Sequence, residues 1–113
     1  KLDVMFRSSK SIENIIKNCM EHTDKNGTIS ISSSHSNIYD EITISDNGCG
    51  IAPEDLPHIF ERFYHGKNSS SESVGIGLAL AQAVIKREHG EISVSSTLGE
   101  GSVFSIKFYN AIV

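Results

Sequence analysis

The chain is poor in cysteine, in positive charge and in long apolar runs, and each shortage removes a class of protein. Its two cysteines, Cys19 and Cys49, form no CxxC pair and no finger spacing, so neither a zinc ribbon nor a disulfide scaffold is expected. Two separated thiols in a domain of this size read as reduced cysteines of a cytosolic protein. Cys19 is expected to be a small core residue. Cys49, in a glycine turn, is expected to be partly exposed, with nothing to activate it. No apolar stretch approaches the roughly 18 residues of a membrane-spanning helix, and no signal peptide is visible. Lysine and arginine number 10 against 14 aspartates and glutamates, a net charge of -4 at pH 7. That gives no general pull toward nucleic acid or an anionic membrane. An initiating methionine is missing too: the chain opens at Lys1 and reads as a piece of a longer protein.

What is present fits one soluble globular domain, 113 residues long with 38% hydrophobic and 21% charged residues. Ile12, Ile15, Ile16, Cys19 and Met20 recur at helical spacing, which predicts an amphipathic helix over 8–22. Ser8 or Ser9 would cap it, and Asp24-Lys25-Asn26-Gly27 would end it in a turn. Ile29 and Ile31 alternate with polar residues over 28–34, and Ile42 and Ile44 do so over 39–45. These predict two half-buried strands joined through His35-Ser36-Asn37. A short helix is expected over 54–60, with Phe60 and Phe63 as core anchors beside it. Residues 64–74 are polar and expected to be mobile. A second long helix is predicted over 77–88, with Leu78, Ala81, Val84 and Ile85 facing inward and Gly90 stopping it. Strands over 91–96 and 102–108 follow. Adjacent strand pairs favour antiparallel pairing. The expected fold class is α+β, a two-layer sandwich of a mixed, mostly antiparallel sheet with helices on one face.

Several short segments carry chemistry. Asn14 and Asn18 stand four apart on the first helix and share a face. A helix-borne amide oxygen suits Mg²⁺ beside triphosphate oxygens, because magnesium takes oxygen ligands and keeps several waters. By itself Asn18 fits an ordinary surface or capping asparagine better, and it is Asn14, one turn earlier on the same face, that strengthens the metal reading. Asp46 falls where the second strand runs into Asn47-Gly48-Cys49-Gly50-Ile51. A carboxylate there can accept from an exocyclic amino group such as adenine N6, and Gly48 and Gly50 would let backbone approach a flat base. Asp-Asn-Gly is also a common plain turn, but Ile51 and the Pro53 helix follow at once and suggest a wall. Gly75-Ile76-Gly77-Leu78 opens a helix, where free N–H groups and the dipole attract phosphate. It is neither a Walker A loop nor a complete GxGxxG. Lys67, Arg62 and His65 lie near the polar loop, where a cation would meet a phosphate or simply be solvated.

In this order, the segments resemble the ATP-binding catalytic domain of bacterial sensor histidine kinases, within the gyrase, Hsp90, histidine kinase and MutL superfamily. The resemblance covers residues 8–108. Asn14–Asn18 resembles the N box, Asp46–Ile51 the G1 box and Phe60–Tyr64 the F box. Gly75–Leu80 resembles the G2 box and Gly99–Ser102 the last glycine box. Residues 14–23 and 63–80 are most similar to Gram-positive sensors of cell-envelope or antibiotic stress. Three places depart from the family pattern: Glu21-His22 stands where Lys-Tyr is frequent, His65 where many members carry Arg or Lys, and Ser73-Val74 where the G2 box often has one more glycine.

The resemblance implies ATP and Mg²⁺ as cofactors, with a flexible lid between the F and G2 boxes. Asn18 becomes the magnesium ligand with Asn14 nearby, and Asp46 the adenine-binding carboxylate. Gly48, Gly50 and Ile51 line the base pocket, with Ser102 near adenine. Gly75, Ile76, Gly77 and Leu78 meet the phosphates, and Lys67 joins them from the lid. No general base is implied: ATP-hydrolysing relatives carry a glutamate where this chain has Asn14, and Glu13 is turned about 100° round the helix. The implied activity is therefore a protein histidine kinase of a two-component system. It transfers the γ-phosphoryl group to a histidine on a separate dimerisation domain. None of the five histidines lies in the family's phosphoacceptor pattern, so 1–113 is expected to be the catalytic domain alone, unable to autophosphorylate in isolation. The implied partners are that domain and, through the full-length kinase, a response regulator. The parent would be a membrane-bound homodimer with this domain in the cytoplasm. Two rivals stand beside this reading. One is a catalytically inactive nucleotide-binding or scaffold module of the same fold. The other is a serine kinase of the anti-sigma type, against which the F box and long lid argue.

Overall fold

The computed structural model describes residues 8–64 and 77–110. Helix α1 spans Ser9–Glu21. The hairpin β1 (Ile29–His35) and β2 (Tyr39–Asp46) follows, then a 3-10 turn at Leu56–His58, helix α2 (Gly77–Arg87), β3 (Gly90–Thr97) and β4 (Gly101–Tyr109). The strands form one sheet in the order β1-β2-β4-β3, and all three pairings are antiparallel. The parallel element of a mixed sheet is thus absent among the described residues. The two helices pack on each other and on one face of the sheet.

Alternation fixes that face. Along β4, Ser102, Phe104, Ile106 and Phe108 are buried while Val103 and Tyr109 are exposed, because successive strand side chains point to opposite faces. Ile42 and Ile44 of β2 join them, as do Ile15 and Cys19 from α1 and Ala81 and Ile85 from α2. Each large apolar side chain in this cluster contributes about 1.5–3 kcal/mol relative to exposure. Leu78 packs at the rim of the cluster, and Val84 is half-buried. Ile31 differs from expectation. It lies in register with Ile44 yet is 56% exposed. β1 is the sheet edge, and the helices make their main sheet contacts with β2 and β3.

Local signals explain most boundaries, and three read differently in the structure. Ser8 holds the N-cap position of α1 but makes no side-chain cap; its hydroxyl is buried without a described partner. The expected helix over 54–60 shortens to the 3-10 turn at Leu56–His58, because Pro57 has no N–H and cannot continue an α-helical ladder. The left-handed residue after α2 is His89, φ 62, and not Gly90. Gly90 serves a close approach instead: a Cβ there would lie 2.9 Å from the Lys107 carbonyl oxygen.

Candidate functional site

The site is built at the sheet end where β2 stops. The register places Ile29, Asp46, Ser102 and Ser96 in one row on the helix-covered face. Asp46 is half-buried. Its Oδ1 accepts the Gly48 N–H at 2.9 Å, which orients the carboxylate at the head of the turn. Beneath it lies the Cys19 thiol of α1. Burial first, and then the hydrogen bond to the Asp46 carboxylate, push that thiol up to about 12. Cys19 is therefore a protonated thiol at ordinary pH, and it is 1% exposed, as a core residue should be.

The turn after Asp46 is clamped on three sides. The Cys49 N–H donates to the His22 carbonyl at 3.0 Å, which ties the turn to the end of α1. Asn47 Oδ1 accepts the Thr28 N–H at 2.8 Å, which ties it to the start of β1. The Gly99 N–H donates to the Cys49 carbonyl at 2.7 Å, and the Ile51 N–H to Ser96 Oγ at 2.7 Å, which tie it to the β3–β4 connection and to the end of β3. The glycines follow from these clamps. A Cβ on Gly48 would fall 2.0 Å from the His22 carbonyl oxygen. One on Gly50, whose φ is +74, would fall 2.3 Å from that of Thr97. The space beside both is thus filled by the protein's own backbone. Backbone packing is therefore one reason for both glycines, beside the approach to a flat base expected of them.

Cys49 is half-buried, with its Sγ 3.8 Å from His22 Nδ1. Burial, opposed in part by its own backbone and aided by Asp46 and Asp24, raises its thiol. It is not an activated nucleophile. His22, part of one of the departures in the sequence, therefore faces Cys49 and the turn.

Asn14 and Asn18 are half-buried on α1 and have no side-chain partner among the described residues. Their amide oxygens fit a hard cation that keeps most of its own ligands. Glu13 is turned away and pairs with Lys10 at 3.6 Å. α2 begins at Gly77, where a Cβ would meet nothing within 4 Å. α1 links the two parts of the site: it packs along α2, and its Cys19 reaches Asp46. Lys67, Gly75, Ile76 and His65 lie outside the described residues, as does nearly all of the polar 64–74 segment. Arg62 is exposed.

Phe60 packs against the core, as expected of an anchor. Phe63 does not. It is 69% exposed, with φ 64, a conformation that turns it outward and is costly for a bulky residue. The anchoring falls to Tyr64, whose hydroxyl donates to Asp55 and whose ring stacks on His58 at 5.1 Å. Sequence reasoning missed Ser96, Asn47 and Cys19 as parts of this site. Ser96 sits in an unremarkable serine-rich strand, and only the strand register reveals its neighbours.

Residues 8–111 match the family of histidine kinase-, DNA gyrase B- and HSP90-like ATPases. The chain belongs to that family. Among its relatives are sensor histidine kinases. It is 37% identical over 99 residues to the sensor histidine kinase RppB of a Synechocystis strain, covering 85% of this chain and 22% of that protein. It is 34% identical over 106 residues to the sensor protein SrrB of Staphylococcus aureus, covering 91% of this chain and 18% of that protein. The chain thus spans about a fifth of these relatives' length. The fold superposes on a mycobacterial sensor histidine kinase, MprB, with a TM-score of 0.80 at 23% identity, covering 88% of this chain and 70% of that one. It superposes on full-length ShkA in complex with AMPPNP with a TM-score of 0.76 at 24% identity, covering 95% and 22%.

Proposed function

We infer that this chain is the catalytic domain of a sensor histidine kinase, which binds Mg-ATP and delivers its γ-phosphoryl group to a histidine on a separate dimerisation domain. The observation that carries the reading is the setting of Asp46. It is a carboxylate held by the Gly48 N–H and backed by a buried thiol. It sits at a strand end whose turn is bolted to α1, the helix bearing Asn14 and Asn18. Asp46 accepts from the amino group of adenine. Ser102, in register beside it, completes that wall with Gly48, Gly50 and Ile51. Asn18, with Asn14 one turn away, holds the metal, which supplies charge neutralisation between the phosphates when bound. Gly75, Ile76, Gly77 and Leu78 receive the phosphates at the start of α2, and Lys67 approaches them from the preceding segment.

The chain's own share of the chemistry is positioning and charge stabilisation, as in phosphoryl transfer generally. Glu13 is engaged with Lys10 on the outer surface, too far round α1 to activate a water beside Asn18. That favours a histidine acceptor over hydrolysis. The parent would be a membrane-bound homodimer acting on a response regulator, with this domain on the cytoplasmic side. The resemblance of residues 14–23 and 63–80 supports an envelope- or antibiotic-stress sensor.

Titration calorimetry of the chain with ATP, with and without Mg²⁺, tests the reading beside Asp46→Asn. Saturable binding that the variant loses is expected. ATP affinity unchanged in Asp46→Asn would sink the adenine assignment. Adding the phosphoacceptor domain in trans then separates kinase from scaffold. Acid-labile phosphohistidine supports the kinase, its absence a scaffold, and an acid-stable product a serine kinase.

A further inference from the structure

We propose that Ser96 sets the hydrogen-bonding polarity of the wall beside Asp46, and through it the preference for a ligand edge that donates hydrogen bonds over one that accepts them. This rests on the nucleotide reading above. A hydroxyl carries one hydrogen and two lone pairs, and Ser96 uses all three. The Gly101 carbonyl can only accept, so the Ser96 hydrogen goes there, at 2.9 Å. The Ile51 N–H can only donate, and takes one lone pair at 2.7 Å. The remaining lone pair faces Ser102 Oγ at 3.0 Å. Ser102 is therefore the donor in that pair.

With its hydrogen engaged by Ser96, Ser102 offers only lone pairs to whatever lies on its other side. Its register partner on that side is Asp46, whose carboxylate is also an acceptor only. Ser102 is 5% exposed, so water does little to relieve a mispaired group there. A wall of two acceptors attracts an amino group and repels a carbonyl oxygen. On a purine nucleoside triphosphate seated with its 6-substituent between Asp46 and Ser102, both acceptors address that one group, and the wall selects a 6-amino over a 6-oxo edge. Ser96 makes this selection without touching the ligand: it is a positioning residue acting through Ser102.

The test is calorimetric titration of the 113-residue chain with ATP and with inosine triphosphate, whose edge carries a carbonyl at position 6 and a protonated N1. Both are titrated with Mg²⁺ into the parent chain, Ser96→Ala, Ser96→Thr and Ser102→Ala. Ser96→Ala frees the Ser102 hydrogen to rotate toward the ligand, so the ratio of ATP to inosine triphosphate affinity is expected to fall about tenfold, the worth of one hydrogen bond. Ser96→Thr keeps the hydroxyl and is expected to hold the parent ratio. If Ser96 only braces the Ile51 turn, both affinities fall together, and an unchanged ratio in Ser96→Ala overturns the proposal. Should Ser96→Ala fail to fold, Ser102→Ala decides: loss of the aligned acceptor lowers the ratio, and an unchanged ratio again overturns it. A parent chain that binds neither nucleotide removes the nucleotide reading and this proposal together. Saturable ATP binding with unchanged ratios leaves the first standing and sinks only the second.

Discussion

Gly101 lies against the backbone of Asp46 so closely that a Cβ on the glycine would fall 2.0 Å from the Asp46 carbonyl oxygen. Its φ of +130 is one that L side chains rarely adopt. Gly99, two residues earlier, has φ +84 but open space around it. Gly101→Ala is therefore expected to cost about 3 kcal/mol or more, since strain and clash act together. Gly99→Ala should cost about 1–2 kcal/mol, from backbone strain alone. Urea denaturation of the two variants checks the contrast, and equal losses would contradict the close approach.

Asn18→Ala removes the amide oxygen assigned to the metal without disturbing the adenine wall. The expected outcome is loss of the Mg²⁺-dependent part of ATP affinity, about tenfold or more, with Mg-free binding little changed. Asn14→Ala should give a smaller effect in the same direction. Titrations with and without Mg²⁺ separate the two, and Mg²⁺ enhancement surviving in Asn18→Ala would reassign the ligand.

The Cys19 thiol gives the fold a pH dependence. Burial and then Asp46 raise its folded-state value from 9.0 to about 12. A raised value means the folded state favours the protonated thiol. The stabilisation is thus complete below pH 9 and is lost as pH climbs toward about 12. Denaturation midpoints of the parent chain should fall more steeply as pH rises above 9 toward about 12 than those of Cys19→Ala. Parallel slopes would show that the thiol is not held by burial and the carboxylate.

Ile31 and Ile44 are register partners on adjacent strands with very different surroundings, 56% against 0% exposed. Ile44→Ala is expected to cost about 3–4 kcal/mol, and Ile31→Ala less than about 1 kcal/mol. Thermal or urea unfolding of the pair measures how far the helix layer shields the sheet.

Much of the fold was legible because the signals are local. The spacing of Ile12, Ile15 and Cys19 marks the buried stripe of α1, and the alternation of Phe104, Ile106 and Phe108 marks the inward face of β4. Asp46 was legible as a strand-end carboxylate before a glycine turn. Phe63 was not: its outward turn comes from a left-handed backbone that no spacing rule encodes in a phenylalanine. The glycines were legible as necessary, but the backbone packed against them was not. The groups that crowd Gly48 and Gly50 belong to His22 and Thr97, each brought in from another part of the chain.

By itself, the sequence determined the two long helices and four strands, the buried faces of α1, α2, β2 and β4, and which side chains at the ends of those elements carry oxygen donors or acceptors. Those properties depend on residue type and period along one segment. Only the tertiary structure decided how the elements meet. It set the register that aligns Asp46 with Ser102 and Ser96, the single Ser96 hydroxyl shared by Ile51, Gly101 and Ser102, and the thiol of Cys19 under the carboxylate. Hydrogen bonds act over a few ångströms between groups that lie tens of residues apart in the chain, so the chemistry of this wall exists only after the strands have paired.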